Sequence, residues 1–316
     1  MTRRALVTGG AGFIGSHVAE ALLASGHDVV VVDDLSRGKR ANVPASARFE
    51  HLDIRSPQAA VLVREGRFDV MFMLAAQMDV RLSVSDPMTD ASKNILGTLN
   101  LLEAARHAPQ RPRVIFSSTG GAIYGDASTP PSPEESAKDP ESPYGISKLS
   151  VEYYLAYYAR THGLDTVVLR YANVYGPRQD PHGEAGVVAI FCQRLLDRRP
   201  LTVFGSGGQT RDYVFVSDVA AANVLASTAK LPDVRRLDDR AFNIGTGIET
   251  SVLTLAESLQ RAAKVSVLVE FAPKRDGEQQ RSSVKIAKAE RHLGWKPTVK
   301  LDQGLARTYA WFGEPG

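Results

Sequence analysis

The fold of this chain is decided by residues 5–34, ALVTGGAGFIGSHVAEALLASGHDVVVVDD. The apolar run at 5–8 predicts a buried strand, residues 13–24 predict a helix, and the valines at 29–32 predict the next strand. Four small residues, Gly-Gly-Ala-Gly, separate the first strand from the helix. This order of strand, glycine-rich turn, helix and strand indicates a dinucleotide-binding unit.

The glycine-rich turn carries Gly9, Gly12 and Gly15 in the spacing G-x-x-G-x-x-G. The first glycine permits the tight turn, the second lets the backbone approach a pyrophosphate, and the third lets helix and strand pack closely. Asp33 follows the second strand, where a carboxylate accepts hydrogen bonds from ribose hydroxyls and repels a 2'-phosphate. The pair of features favours NAD over NADP.

Strands and helices alternate through the first half of the chain. A third strand ends at 51–54, later strands are predicted at 70–74, 114–118 and 166–170, and a helix is predicted at 94–106. This alternation predicts an α/β fold with a doubly wound parallel (Rossmann) sheet. Ligands of such sheets bind at the carboxyl ends of the strands.

Asp53 lies just after the third predicted strand and has two interpretations. Its carboxylate is placed to meet the adenine amine of the cofactor. It is equally well placed to cap the helix that begins near Pro57.

Tyr144 and Lys148 lie one helical turn apart, so their side chains share a face of a helix. Ser142 and Pro143 are typical of the N-cap and first turn of that helix. A tyrosine with a reference pKa of about 10 needs a neighbouring cation to act as a base near neutral pH, and Lys148 is placed to be that cation. Thr119, at the end of the fifth strand, offers a second hydroxyl to pass the proton or hold the substrate oxygen. Alone, this spacing is more typical of an amphipathic helix with an exposed lysine.

Composition is that of an ordinary globular protein. The 316 residues exceed what one core usually supports, so one large or two coupled domains are expected. A net charge of +3, from 38 basic and 35 acidic residues without a basic run, argues against nucleic acid. Cys192 lies in an apolar stretch and is expected to be a buried packing residue. The absence of a signal peptide and of any apolar run of about 18 residues leads us to expect a cytoplasmic protein without a membrane span.

Six motifs occur in one order along the chain. They are Thr-Gly-Gly-Ala-Gly-Phe-Ile-Gly-Ser-His at 8–17, Asp33, Leu74-Ala75-Ala76, Ser117-Ser118-Thr119, Tyr144-Gly-Ile-Ser-Lys148 and Asn173-Val-Tyr-Gly-Pro-Arg178. With them the chain resembles the extended short-chain dehydrogenase/reductases, and among these the UDP-glucose 4-epimerases. The resemblance implies a catalytic triad of Thr119, Tyr144 and Lys148. It also implies contacts with NAD from Gly9, Gly12, Phe13, Ile14, Gly15, Asp33, Asp34, Asp53, Ile54, Leu74, Ala75, Ala76, Gln77, Asn94, Ser117, Tyr144, Lys148 and Tyr171.

The resemblance further implies a set of substrate ligands and no metal. Those ligands are Thr119, Tyr144, Asn173, Arg211, Arg275, Glu278 and Ser282. Arginine suits phosphate because its planar fork donates two hydrogen bonds at once. Without the resemblance, surface ion pairs of Arg211 with Asp212 and of Arg275 with Asp276 would be the simpler interpretation.

The implied reaction is NAD-dependent epimerisation at C4 of a UDP-hexose through a transient 4-keto sugar. Gly120 and Gly121 stand where dehydratases of the family carry an acid pair, and the decarboxylases' glutamate is missing too, which disfavours both reactions. UDP-glucuronate 4-epimerisation stays an alternative, with Arg81 or Arg178 meeting the sugar carboxylate. A serine at 282 leaves room for an N-acetyl group at C2. A sensor without catalysis is a further alternative, but such proteins usually lack the tyrosine or the lysine.

The expected domains are interleaved in sequence. We expect an NAD-binding Rossmann domain at 1–175, to which 213–240 returns, and a smaller mixed α/β nucleotide-sugar domain at 176–212 and 241–316. A strand at 241–244 is assigned to that smaller domain. By resemblance, the helices at about 91–106 and 146–161 pair two chains into a homodimer. Their apolar faces could equally pack within one chain.

Overall fold

A parallel sheet of seven strands forms the centre of the molecule. The computed structural model describes residues 2–126, 128–182, 186–274 and 279–314. Within them the strand order of this sheet is β11-β6-β5-β4-β1-β2-β3, with every neighbouring pair parallel. The strands are β1 (Arg4–Thr8), β2 (Asp28–Asp33), β3 (Arg48–His51), β4 (Val70–Met73), β5 (Arg113–Thr119), β6 (Thr166–Tyr171) and β11 (Ala241–Ile244).

Helices cover both faces of the sheet, which is why its strands are largely apolar. One face packs against α1 (Phe13–Ala24), α8 (Val216–Thr228) and α10 (Ala287–Leu293). The other face packs against α2 (Pro57–Glu65), α5 (Gly97–Arg106) and α6 (Pro143–His162). The short helices α3 (Val80–Ser85) and α4 (Pro87–Ala91) lead into a π-helical turn, Ser92–Leu96, directly before α5.

A second, smaller core is formed by later parts of the chain. It contains buried residues of α7 (Val187–Leu196), α9 (Val252–Ala263) and α11 (Leu301–Gly313). Cys192 is buried in this core, as expected. In the described part of the chain, three two-stranded sheets accompany it and are formed by β7 (Asn173–Tyr175) with β10 (Tyr213–Phe215), β9 (Thr210–Arg211) with β12 (Thr250–Ser251), and β8 (Leu201–Phe204) with β13 (Val269–Ala272).

The assignment of strand 241–244 to the smaller domain was wrong. β11 instead extends the central sheet, pairing with β6 in the register Ala241↔Val168. All four of its residues are buried, because a strand added there is covered on both faces. The other limits of the domain division stay a prediction. Helix α8, which lies within the segment 213–240, packs against α1 of the NAD-binding part.

Two further expectations concern helices. Asn94 was expected to begin a regular helix, but it lies inside the π-helical turn that precedes α5. Among the described residues, no helix combines the length and the apolar character needed to cross a membrane.

Candidate active site

The glycine-rich turn is built for close approach. Gly9 has φ +72°, and a Cβ there would lie 2.6 Å from the backbone nitrogen of Ala75. A Cβ on Gly15 would lie 2.1 Å from the carbonyl oxygen of Gly9, so helix α1 packs on the turn itself. Gly12 is the N-cap of α1 and provides no side-chain acceptor for the first-turn N–H groups. A helix N-terminus prepared in this way fits the diphosphate of a dinucleotide.

Asp33 ends β2 beside this turn. One carboxylate oxygen accepts a hydrogen bond from the Ala11 backbone N–H at 3.0 Å, and the other accepts one from Leu35 N–H at 2.9 Å. Burial raises the pKa of the Asp33 carboxyl, while these N–H donors oppose that rise. Each oxygen keeps a further lone pair, so the carboxylate can also accept hydrogen bonds from ribose hydroxyls.

The side chains that follow are occupied by protein partners. Asp34 accepts hydrogen bonds from the backbone and hydroxyl of Ser36. Asp53 binds the guanidinium of Arg55, which lowers the pKa of its carboxyl. The cap of α2 is Ser56, whose hydroxyl accepts from Ala59 N–H, so the capping interpretation of Asp53 was wrong. The adenine contact stays a prediction.

Asn94 and Gln77 form a buried amide bridge. The Asn94 side chain accepts from Gln77 N–H at 2.8 Å and donates to the Gln77 carbonyl at 2.9 Å. It thus satisfies both backbone groups of Gln77, as the backbone of a neighbouring strand would. Both side-chain amides donate to one oxygen of the buried Asp90 carboxylate, and the Ser147 hydroxyl donates to the other at 2.6 Å. Asp90 thereby joins the loop after β4, the π-helical turn and helix α6. The sequence did not predict this role of Asp90, because no motif surrounds it and two of its partners, Gln77 and Ser147, are distant in sequence.

Helix α6 begins as predicted. Ser142 caps it by accepting from Gly145 N–H, and Pro143 occupies the first turn. Lys148 is only 3% exposed, and its ammonium donates to the Ser117 carbonyl at 2.8 Å. Its Nζ lies 5.9 Å from the centroid of the Tyr144 ring. The alternative of an exposed lysine on an amphipathic helix is therefore wrong.

Burial dominates the titration of this pair. It raises the pKa of the Tyr144 phenol, and the negative charge of Asp90 adds to the rise. It lowers the pKa of Lys148 to about 8, against the opposing effects of Asp90 and Glu152. The ammonium of Lys148 donates to the Ser117 carbonyl and does not offset this rise in the pKa of Tyr144, contrary to the expected lowering. An oxidised nicotinamide bound beside the phenol would add a positive charge that favours the phenolate.

A buried ion pair fixes α6 on the sheet one turn beyond Lys148. Glu152 accepts from the Arg170 guanidinium at 2.6 Å, and both side chains are fully buried. The Ser118 hydroxyl donates to Glu152 at 2.5 Å. Removing one partner of such a pair typically costs about 3–5 kcal/mol, because the other charge is left buried. The ion pair therefore holds the helix of Tyr144 and Lys148 against β6, and the Ser118 hydrogen bond holds it against β5, which ends at Thr119.

Predicted substrate residues converge around Gly121. A Cβ built on this glycine would lie 3.7 Å from Asn173 Oδ1, 3.9 Å from Thr119 Oγ1 and 4.0 Å from Ser282 Oγ. These three residues come from β5, β7 and the segment before α10, far apart in sequence. The structure thus brings together three of the predicted substrate ligands at the carboxyl end of β5.

The other predicted substrate ligands are Arg211, Arg275 and Glu278, and the structure describes only the first of them. Arg211 lies on β9, and its guanidinium donates to the Thr210 carbonyl at 2.8 Å. Arg275 and Glu278 lie outside the described residues. Asp212 is buried rather than at the surface, so the surface ion pair considered for it is wrong.

Two of the predicted cofactor contacts point their side chains into the core. The Tyr171 phenol is buried and bonded to Asn223 of α8, and the Ile54 side chain packs in the core against α5. Contacts from these residues to NAD would have to come from the backbone, and they stay predictions. In the part of the chain that the structure describes, no group of three His, Cys, Asp or Glu side chains is arranged to hold a metal ion.

Comparisons with known proteins agree with this geometry. The NAD dependent epimerase/dehydratase family matches residues 5–245. The UDP-glucose 4-epimerase of Mycolicibacterium smegmatis is 45% identical over 314 residues, which cover 98% of both chains. The crystal structure of UDP-glucose 4-epimerase from Thermotoga maritima with UDP-glucose superposes with a TM-score of 0.91 at 45% identity, covering 98% of both chains. The UDP-glucose 4-epimerase of Thermus thermophilus in complex with NAD gives 0.89 at 42% identity, again covering 98% of both chains.

These similarities extend over nearly the whole chain. They confirm the predicted fold class, the NAD cofactor and the assignment to the epimerases. The glycine cradle, the α1 N-terminus and Asp33 are the residues that fit NAD. The chain belongs to the NAD dependent epimerase/dehydratase family.

Proposed function

We propose that this chain interconverts the C4 epimers of a UDP-hexose, with UDP-glucose and UDP-galactose as the basic pair. The observation that carries the proposal is that Thr119, Asn173 and Ser282 lie close together at the carboxyl end of β5. Helix α6, which packs on the same sheet, carries Tyr144 and Lys148. Relatives named UDP-glucose 4-epimerase support the choice of substrate.

The side chains have separate tasks in this reaction. Tyr144 accepts the proton of the 4-hydroxyl and returns it when the 4-keto sugar is reduced on its opposite face. Thr119 holds the same oxygen, and Lys148 keeps the ammonium charge beside the phenol. When bound, NAD supplies the oxidised nicotinamide that exchanges hydride with C4, and its positive charge favours the phenolate. Lys148 is buried and Tyr144 is half-buried, so little water has access to the ammonium beside the phenol.

UDP-glucuronate is the less favoured substrate. One of the arginines considered for its carboxylate, Arg178, donates to both oxygens of Glu20, at 2.8 and 2.6 Å, and to His17 at 2.7 Å. A guanidinium held in this way would have to exchange an existing carboxylate for that of the sugar. The residue after Gln179 is Asp180, where the resemblance would require an arginine for a hexuronate.

Small residues stand at the position that the resemblance assigns to the C2 substituent. Ser282 carries only a hydroxyl, and Gly121 beside it has no side chain: a Cβ built on the glycine would be in ordinary van der Waals contact with the serine hydroxyl, at 4.0 Å. No bulky side chain is present at 282 to exclude an acetamido group. We therefore propose that UDP-N-acetylglucosamine and its galacto epimer are also substrates.

We also propose a homodimer in the cytoplasm. On α6, Tyr153, Tyr154 and Tyr157 are 55%, 40% and 46% exposed and project from one side, while Val151 and Leu155 fill the core. The apolar inner face is thus used within the chain, and the aromatic outer face is available for a second copy. Light scattering of the native chain and of Tyr154→Glu tests the dimer, which the glutamate should dissociate.

One panel of reactions tests the function. The purified chain is incubated without added NAD with UDP-galactose, UDP-N-acetylgalactosamine or UDP-galacturonate, and the products are separated. We expect conversion of the first two and little of the third. Conversion of UDP-galacturonate alone would overturn the assignment in favour of a hexuronate epimerase. Conversion of none, by a chain that retains NAD, would favour a sensor without catalysis.

A further inference from the structure

Asp212 is a buried carboxylate with a complete set of donors. It lies between β9 and β10 and is 1% exposed. One oxygen accepts from Thr246 N–H at 2.7 Å and from the Thr246 hydroxyl at 2.6 Å. The other accepts from Gly247 N–H at 3.0 Å and from Val284 N–H at 3.3 Å. Four donors fill the four acceptor positions of an ionised carboxylate.

The loop of Gly245 packs closely against the carboxylate of Asp212. A Cβ on Gly245 would lie 2.5 Å from the second oxygen of Asp212. The loop after β11 therefore approaches the carboxylate as closely as a glycine allows. All four donors are backbone N–H groups or the threonine hydroxyl, so none of them belongs to a long, flexible side chain.

Two of the segments that Asp212 binds carry or adjoin predicted substrate residues, whereas the loop of Thr246 and Gly247 carries none. The Asp212 carbonyl accepts from the backbone N–H of Asn173 at 2.8 Å. Arg211 is the preceding residue, and Ser282 lies two residues before Val284. Ser282 N–H in turn donates to the Thr210 carbonyl at 3.2 Å, so the strand before Asp212 holds the same segment.

We propose that Asp212 is the positioning residue that assembles the UDP-sugar site: its carboxylate ties the segment of Ser282 and the loop of Thr246 to the strand of Arg211, and its backbone carbonyl holds Asn173 beside them. The proposal rests on the proposed function for the identity of the ligand. It assigns Asp212 no contact with substrate. Its loss should weaken binding of the nucleotide while leaving NAD and the Tyr144–Lys148 pair in place.

The isosteric change Asp212→Asn removes the acceptor function with almost no change of volume. The new NH2 group must face N–H or O–H donors on one side of the former carboxylate. At least one buried donor is then left unsatisfied, and the segment it belongs to loosens.

Asp218 provides a matched control. It is also buried, 3% exposed, and its carboxylate accepts from the Thr298 hydroxyl at 2.7 Å and from the N–H groups of Thr298 and Val299 at 3.1 and 3.0 Å. It joins α8 to the segment before α11, which carries no predicted ligand. Asp218→Asn thus imposes the same chemical change at a place unconnected with the site.

The test compares the two variants with the native chain. Calorimetry measures the Kd for UDP, which is common to all candidate substrates and needs no turnover, and kinetics give KM and kcat with UDP-galactose. Retained NAD and thermal midpoints are measured on the same samples. For Asp212→Asn we expect a Kd and KM about tenfold or more above native, with kcat and NAD content little changed. Asp218→Asn should lose thermal stability with Kd and KM unchanged.

Other results would overturn the proposal. An equal rise of Kd in both variants would show a general loss of stability, and a fall in kcat or NAD content at unchanged Kd would place Asp212 with the cofactor. If Asp212→Asn does not fold, Thr246→Val removes one of the four hydrogen bonds and should still raise Kd for UDP severalfold. An unchanged Kd there would refute the proposal. A native chain that binds UDP but does not convert UDP-galactose would instead refute the proposed substrate.

Discussion

The cofactor half and the substrate half of this site are held together in different ways. The cofactor half stands on the strand ends of one sheet, and its parts are near each other in sequence: Gly9, Gly15 and Asp33 lie within one strand, helix and strand. The proposed substrate half consists of Asn173 on β7, Arg211 on β9 and Ser282 in the segment before α10. A continuous sheet positions the first half, whereas in our proposal single buried hydrogen-bonding groups such as Asp212 position the second. Changes in the two halves should therefore separate cofactor binding, chemistry and substrate binding.

The largest effect is expected at the point where both halves meet. Tyr144→Phe removes the proton acceptor but keeps the ring, so kcat should fall by about a thousandfold, within the range for loss of a general base. The NAD content and the Kd for UDP should stay at native values. The ring is kept, and UDP lacks the sugar hydroxyl that the phenol would meet. Single-turnover and steady-state rates with UDP-galactose measure the change. Turnover equal to native would remove Tyr144 from the chemistry.

The second largest effect tests the cofactor half. Gly15→Ala would gain up to about 1 kcal/mol of helix propensity. Its Cβ, however, would overlap the Gly9 carbonyl at 2.1 Å, and such overpacking costs about 3 kcal/mol. The overlap should win, lowering the free energy of unfolding and the retained NAD. Urea unfolding and NAD content of the purified chain measure both quantities.

Gly313→Ala is the control for this change. Among the described residues its Cβ would meet only Leu196 Cδ2, at 3.6 Å, so stability should be unchanged or slightly increased and NAD retained. If Gly15→Ala behaves like this control, the turn is less rigid than the structure shows.

How much of each half could be predicted from the sequence follows from the same contrast. The glycine turn and the Ser142 cap of α6 depend on neighbours a few residues away, so their patterns were visible. The pairing of β11 with β6, the bridge through Asp90 and the donors of Asp212 join residues that are distant in sequence, and no local pattern encodes them. The direction of Tyr171, into the core beside Asn223, likewise depends on where α8 returns.

A third prediction concerns the contact between α1 and the loop after β7. His17 lies on α1, bonds to the Pro177 carbonyl and accepts from Arg178, and burial together with Arg178 lowers its pKa from 6.5 to about 4. Between these values the unfolded chain binds a proton that the folded chain does not. Stability should therefore fall as the pH falls from 7 to 5, by about 2 kcal/mol from this group.

Urea unfolding at pH 7, 6 and 5 measures this loss. Other groups titrate in the same range, so the comparison is with His17→Gln, which cannot bind the proton. The native chain should lose about 2 kcal/mol more than the variant between pH 7 and 5. Equal losses would mean that His17 titrates normally and that the contact with Arg178 is weak.

The smallest effect is expected in the substrate half, where it appears as selectivity. Ser282→Tyr would place a ring in the space between residue 282 and Gly121, where a missing Cβ lies 4.0 Å from the serine hydroxyl. Conversion of UDP-N-acetylgalactosamine should fall about tenfold or more relative to UDP-galactose, a difference of about 1.4 kcal/mol in transition-state binding. Ser282→Ala is the control and should convert both sugars, because it removes the hydroxyl and adds no volume. Gly121→Val narrows the space from the opposite wall and should shift selectivity in the same direction. If Ser282→Tyr alone does so, the acetamido group lies on the side of residue 282; if neither does, the C2 substituent lies elsewhere, and the convergence around Gly121 serves another part of the sugar.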